Sequence, residues 1–187
     1  PFVPFTDEVD DELLKDMLLN ISNNEELFLI ATKKFDDSLE NGKYNKVGAV
    51  CKIEYVNVKD KGLSYICNVL YFANIVSVET ENNVEVAHVV PMEITNLNTE
   101  NTKLLLEKAK ALFYNYINYS NRKINLDLLN YIRSNSDPNV VVSLITATSD
   151  FTTKEQYSIM QEPNMELKLE SLIVLINKLF SLEAINK

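Results

Sequence analysis

Residues 137–162 read DPNVVVSLITATSDFTTKEQYSIMQE, and the fold turns on whether the run VVVSLIT within them is strand or helix. The run is β-branched and almost continuously apolar, which by propensity alone favours a buried strand. Its flanks say otherwise. Asp137 is a good N-cap, and Pro138 falls at the first helical position, where its missing N–H costs nothing and its fixed φ suits the helix. The cap stabilises by about 1 kcal/mol. The sequence on both sides is helical, so a lone strand here would lack a partner. Thr152-x-x-Glu155 is a capping box for the next short helix, KEQYSIMQ. Glu162-Pro163 repeats the acid-proline start and opens the longest helix, over 164–187. The run is read as helix.

Working outward, that last helix carries Met165, Leu169, Leu172, Ile176 and Leu179 at alternating spacings of four and three, with Ile173, Leu175 and Phe180 widening the stripe. The pattern meets no Gly or Pro stop, so the parent polypeptide is expected to continue past Lys187. Upstream, TENTKLLLEKAKALFYNYINYS places Leu105, Ala109, Leu112, Tyr116 and Ile117 on one face, and NLDLLNYIRS is a short helix capped by Asn125.

Before Asn96 the period is mostly that of strands. DDELLKDMLLNI is one early helix, capped by Asp10 or Asp11, and ELFLIAT (26–32) is a buried strand. KVGAVCKIEYV (46–56) puts Val47, Ala49, Cys51, Ile53 and Tyr55 on one face, and GLSYICNVLYF (62–72) does the same with Leu63, Tyr65, Cys67, Val69 and Tyr71. KDKG between them makes a hairpin turn. IVSVET and VEVAHVVPMEI form a second hairpin around ENN, with Pro91 confining the last strand to an edge or ending it. The expected class is α+β. A small β lobe over 1–96, a twisted antiparallel sheet or pseudo-barrel with one helix, precedes a helical bundle over 97–187 that ends in a long helix. The joint is NLNTE, and a polar loop spans 36–46.

Composition narrows the function. The 187 residues carry a net charge of −9, and the pI is about 4.7. Such a surface repels phosphate backbones and anionic lipid, so neither nucleic acid nor membrane is expected as main partner. No apolar run approaches the roughly 18 residues of a membrane span, and no basic-then-apolar leader opens the chain. The expectation is a soluble, cytoplasmic protein in which Cys51 and Cys67 are reduced core thiols. The three glycines, Gly42, Gly48 and Gly62, lack the spacing and the following Lys-Ser/Thr of a phosphate-binding loop. His88, the single histidine, has no convergent metal or acid–base partners in sequence. TDEVDDE (6–12) lacks the Gly and terminal Glu of a calcium loop and is read as favouring the positive end of the first helix. The aromatics remain: nine Tyr and eight Phe. In the adjacent pair Tyr71-Phe72, one side chain must point away from the core. Phe72 is either such an exposed contact or a core residue.

Several stretches together resemble the N-terminal domain of Lon, the ATP-dependent protease. VGAVCKI resembles that family's V-G-T-V-A strand, KDKG sits at its Pro-Asp-Gly turn, and SDPNVVVSLITA is similar to its D-D-P-x-x-L-A-D-x-I-A helix. KEQYSIMQE is similar to its K-Q-x-x-L-E helix and ELKLESLIVLI resembles its E-R-L-x-x-L final helix, and the five stretches follow the family's order and spacing. The departures are a Pro-rich opening strand represented only by Pro1–Phe5, and Val69 and Phe72 where the family has Gly and Arg. The resemblance implies a non-catalytic module that binds unfolded or degron-tagged polypeptides. It implies a parent that carries an ATPase using ATP and Mg2+, carries a Ser-Lys peptidase, and assembles as a homo-hexamer. This chain would hold no cofactor. The contact set expected for substrate is Phe35, Tyr71 and Phe72. A free-standing domain without a protease is the alternative; a small enzyme would need a polar constellation absent from the sequence.

Overall fold

The computed structural model describes residues 5–35, 43–59, 62–82, 84–120 and 123–185. The family-like opening Pro1–Pro4, most of the polar loop and the centre of the KDKG turn fall outside them. The chain forms two compact units, Pro1–Met92 and Glu93–Lys187. Ile94 and Leu97 belong to the second, because they pack against its helical core.

The first unit is an open antiparallel sheet of five strands with one helix: β1 (Phe5–Val9), α1 (Glu12–Asn23), β2 (Leu27–Lys33), β3 (Tyr44–Val58), β4 (Leu63–Glu81) and β5 (Val84–Pro91). The strand order is β1-β4-β3-β2, with β5 also paired to β4. β1 was expected only as the tail of an opening strand at Pro1–Phe5, not over Phe5–Val9. TDEVDDE divides: its first residues pair with β4, Val9 opposite Leu63, and only from Asp11 onward do the acids serve the helix. Asp11 is the cap, its carboxylate accepting from the Leu14 N–H at 2.9 Å. Leu18 and Ile21 of α1 then bury against the sheet with Ala49, Cys51, Ile53, Leu63, Tyr65 and Cys67.

Two bulges reset which side chains share a face. Val50 opposes Tyr71 and Cys51 opposes Val69, so Leu70 is an extra residue in β4. Ile53 opposes Cys67 and Tyr55 opposes Ile66, so Glu54 is an extra residue in β3. The expected core face therefore holds through Ile53 and through Val69, then inverts. Tyr55 is 59% exposed, and Phe72 rather than Tyr71 packs against the core. The two expected strands GLSYICNVLYF and IVSVET are one continuous β4, which turns at Asn82 into β5. β5 ends at Pro91, and lies at an edge of the sheet, where a proline is tolerated.

Gly62 carries the first hairpin turn with φ of 83°. A Cβ there would lie 2.6 Å from the Val9 carbonyl oxygen, so both the turn and the docking of β1 demand glycine.

The second unit contains α2 (Glu100–Ser120), α3 (Leu126–Ser134), α4 (Pro138–Thr148), α5 (Thr153–Met160) and α6 (Met165–Ile185). VVVSLIT lies inside α4: Asp137 accepts from the Asn139 N–H at 2.9 Å and Pro138 starts the helix. The Thr152–Glu155 capping box of α5 is complete. α2 and α6 run side by side and parallel. Their starts are tied by Thr95, which donates to the Pro163 carbonyl at 2.9 Å and accepts from the Met165 N–H at 3.0 Å. Their far ends meet through the Tyr116 and Phe180 rings, 5.6 Å apart. The core between the helices is fully apolar around Phe113, Tyr116, Ile145, Leu169, Leu172 and Ile176. The polar side chains buried in this unit, among the described residues, are Thr102, Lys110, Ser149 and Lys168, the last on α6 and 3% exposed.

Candidate functional site

The register of the sheet places the expected contact residues in three different settings. Ile30, Ala49 and Phe72 form a row across β2, β3 and β4 on the core side. The next row, Leu29, Val50 and Tyr71, lies on the opposite side. Tyr71 and Phe72 are both half-buried, but the pleat separates them, so they cannot belong to one patch. Phe35 is 39% exposed and follows Lys33, the residue of β2 that pairs with Tyr44 at the end of the ladder. It stands several rows from either of the others. Gly48 matters to the Tyr71 side: a Cβ there would meet Leu29 Cδ1 at 2.8 Å, so Leu29 covers the space a side chain would fill.

Sequence reasoning missed a second exposed apolar feature of the sheet. Beyond Asn74, β4 pairs among the described residues only with β5, so 75–82 and 84–89 form a two-stranded ribbon. It exposes Val76, the extra residue of a third bulge, at 69%, and Val90 at 54%, with Val78 and Val86 also exposed. His88 sits exposed between Val86 and Val90 on the same side of β5. The signal was present in VEVAHVVP, where apolar residues occupy both phases of the alternation and only one phase can face a core. The ribbon is acidic. Glu85 accepts from Lys43 Nζ at 2.8 Å and from the Tyr44 hydroxyl, which joins it to the start of β3. The Lys43 hydrogen bond holds the Glu85 carboxyl below its usual range, and the Lys43 ammonium is raised in turn, chiefly by the same bond.

The groups capable of covalent chemistry are muted. Burial pushes the Cys51 thiol up to about 12, with the neighbouring Cys67 adding to the effect. Burial likewise raises Cys67 to about 11. Tyr65, whose hydroxyl donates to Asp7 at 3.3 Å, is raised by burial first and by the Asp7 carboxylate second. Thiolate is the reactive form, so both cysteines should be inert in the native protein. Their reaction with an aromatic disulfide reagent at pH 8 is expected to be at least roughly a thousandfold slower than in urea. Rapid native labelling would mean that the β core opens readily. Among the described residues no group of His, Cys, Asp and Glu is arranged to hold a metal ion. A cleft of about 280 Å³ at the end of α1 is lined by Ser22, Glu25, Glu26, Lys52 and Glu54 with Ile21 and Ile53. No described helix is long and apolar enough to cross a membrane.

The site is thus a sheet with apolar side chains on both faces, edges that pair with no other described strand, and a local excess of acid. It offers surface and main-chain hydrogen bonds. Comparison with known proteins agrees with that character. Residues 3–178 match the family described as the ATP-dependent protease La (LON) substrate-binding domain. Among solved structures, the chain is similar to the N-terminal domain of a Lon protease from the Mycobacterium avium complex. The TM-score is 0.75 at 16% identity, covering 95% of this chain and 91% of that one. It is also similar to a Lon N-terminal domain protein from Xanthomonas campestris, with a TM-score of 0.62 at 14% identity, covering 92% and 89%. At such identities the structures speak for the fold alone. No curated protein matches the chain in sequence.

Proposed function

Because the chain belongs to the Lon substrate-binding domain family, whose members are binding rather than catalytic domains, we propose that it captures unfolded or degron-bearing polypeptides for an ATP-dependent protease. In this reading the ATPase and Ser-Lys peptidase lie in the same parent polypeptide, which works as a homo-hexamer in the cytoplasm. ATP and Mg2+ act there and not on this chain. The observation that carries the reading is the β unit, which pairs exposed apolar side chains with open strand edges. Unfolded chains differ from folded ones in those same two respects, exposed apolar side chains and unpaired backbone groups.

Tyr71 and Phe35 are the proposed aromatic contacts. Phe72, on the core side, packs into the core of the β unit instead. A disordered ligand loses entropy on docking, so one copy should bind weakly, at about 10–1000 μM. Several copies around a ring would hold one chain through multivalency.

The test is an NMR titration of the chain with a permanently denatured protein and with the folded form of the same protein. Shifts are expected only with the denatured ligand, concentrated on the β unit and diminished in Tyr71→Ser. Phe72→Ser should instead lower the stability of the β unit. Equal shifts with the folded ligand, or none on the β unit, would refute the reading.

A further inference from the structure

The outer edge of β5 is the part of the β unit with the most one-sided chemistry. The Met92 N–H donates to the Phe72 carbonyl at 2.8 Å, which fixes the phase of the ladder. Even-numbered residues of β5 turn their main-chain groups toward β4, and Glu85, Ala87, Val89 and Pro91 turn theirs outward. Pro91 fits this phase, since its missing N–H falls on the side where the sheet makes no bond. β5 pairs only with β4, and among the described residues no main-chain hydrogen bond reaches its outward groups. Three N–H donors and four carbonyls therefore stand in a row.

Edge strands are normally blunted by lysine, by their own bulges or by shortness. β2 has a register break between Ala31 and Lys33 and ends in lysine. β1 has five residues. β5 has eight residues and no Lys, its one proline, Pro91, blunts only the last position, and the extra residue of its ladder lies across in β4. Its solvent face presents Val86 and Val90. Residues 74–93 contain Glu79, Glu81, Glu85 and Glu93 and neither Lys nor Arg. Glu79 pairs with Val86 on that face, and Glu81 pairs with Val84.

We propose that the β5 edge takes up an extended cationic polypeptide segment as an added strand. Lys or Arg of the segment would lie on the face of Val86 and Val90, their stems against those valines and their charges toward Glu79 and Glu81, and its apolar side chains would fall on the other face, beside Ala87 and Val89. The inference rests on the reading of the β unit as a polypeptide-binding module and names its ligand class: segments that alternate apolar and basic residues. Main-chain bonds supply the affinity and the acidic ribbon the selection.

The probe is a fluorescein-labelled decapeptide of alternating Val and Lys, followed by anisotropy with the whole chain. The same peptide N-methylated at alternate residues, in either phase, keeps its charge and side chains but loses strand bonds. One of the two phases should bind at least about tenfold more weakly, the equivalent of one lost hydrogen-bond pair. A Val–Glu peptide should not bind until Glu79→Lys/Glu81→Lys reverses the ribbon, which should also release the Val–Lys peptide. Ala87→Pro removes one outward donor and should weaken Val–Lys binding by a similar factor. Native protection of Cys51 and Cys67 would show that this variant is folded, and the N-methyl arms use unaltered protein in any case. If both N-methylated peptides bind within about twofold of the parent peptide, or if the chain binds denatured protein but not the Val–Lys peptide, the edge proposal is overturned while the binding function stands. If denatured protein leaves the β unit untouched, the functional reading itself fails.

Discussion

Lys168→Met is expected to stabilise the helical unit at neutral pH by about 1–3 kcal/mol, the range in which buried ions are replaced by apolar residues of similar size. Lys168 is 3% exposed, and burial lowers its ammonium to about 8, with Glu162 opposing the shift only partly. A lysine in an unfolded chain titrates near 10.4. Below about pH 8 both states carry the proton, and the folded unit bears the net cost of desolvating the charge, less what its partners return. Between about pH 8 and 10.4 the unfolded chain still binds the proton while the folded one has lost it, so stability rises with pH across that window. Falling pH removes the gain as it passes through the folded value. Urea unfolding at pH 6, 7, 8 and 9.5 should show a midpoint that is flat to pH 8 and then climbs. In Lys168→Met the climb should vanish and the whole curve should lie higher. A variant less stable than the parent at pH 7 would show that the amine is a net structural asset.

The largest loss is expected from Phe113→Ala. The ring is 1% exposed and sits on α2 within the helical core. Its removal should cost about 3–5 kcal/mol, a large part of the roughly 5–15 kcal/mol that holds a domain folded. Far-UV circular dichroism should show the helical transition shifted or already lost at 37 °C. The β unit has its own core, so Cys51 and Cys67 should stay protected under the same conditions. Labelling of both thiols at the rate of the helical transition would show instead that the two cores unfold together.

What the sequence revealed, and what it concealed, follows from the range of the interactions involved. α4 was legible despite its valines, because a cap and a proline act within one turn. The Thr152–Glu155 box and the α6 stripe are likewise local patterns. Both hairpins could be located from their turns. The faces beyond the bulges could not. Leu70 and Glu54 are supernumerary only relative to the strand opposite, and no feature of either segment alone marks them. One such residue exchanged Tyr71 for Phe72 on the core side, while the pleat itself splits the expected contact pair across the sheet. β1 was hidden for a related reason: Asp7 and Glu8 are poor strand residues, and their strand exists because β4 offers an edge. Family resemblance pointed to the fold and the class of ligand, but the β5 edge emerges only from the ladder's phase.

The parallel course of α2 and α6 has a mechanical consequence. The segment around Thr95 is fastened beside the start of α6, while α6 itself ends a full helix length away, about 32 Å for 21 residues. Tension applied between Thr95 and the far end of α6 would run along the helix axes. It would load the α2–α6 seam in shear, where the packed side chains along its length must slip together, instead of peeling them apart one turn at a time. A unit built in this way behaves as a stiff strut against a pull in that direction. It should yield much more easily to a pull that lifts α6 sideways from its C-terminal end, starting at the Tyr116–Phe180 contact.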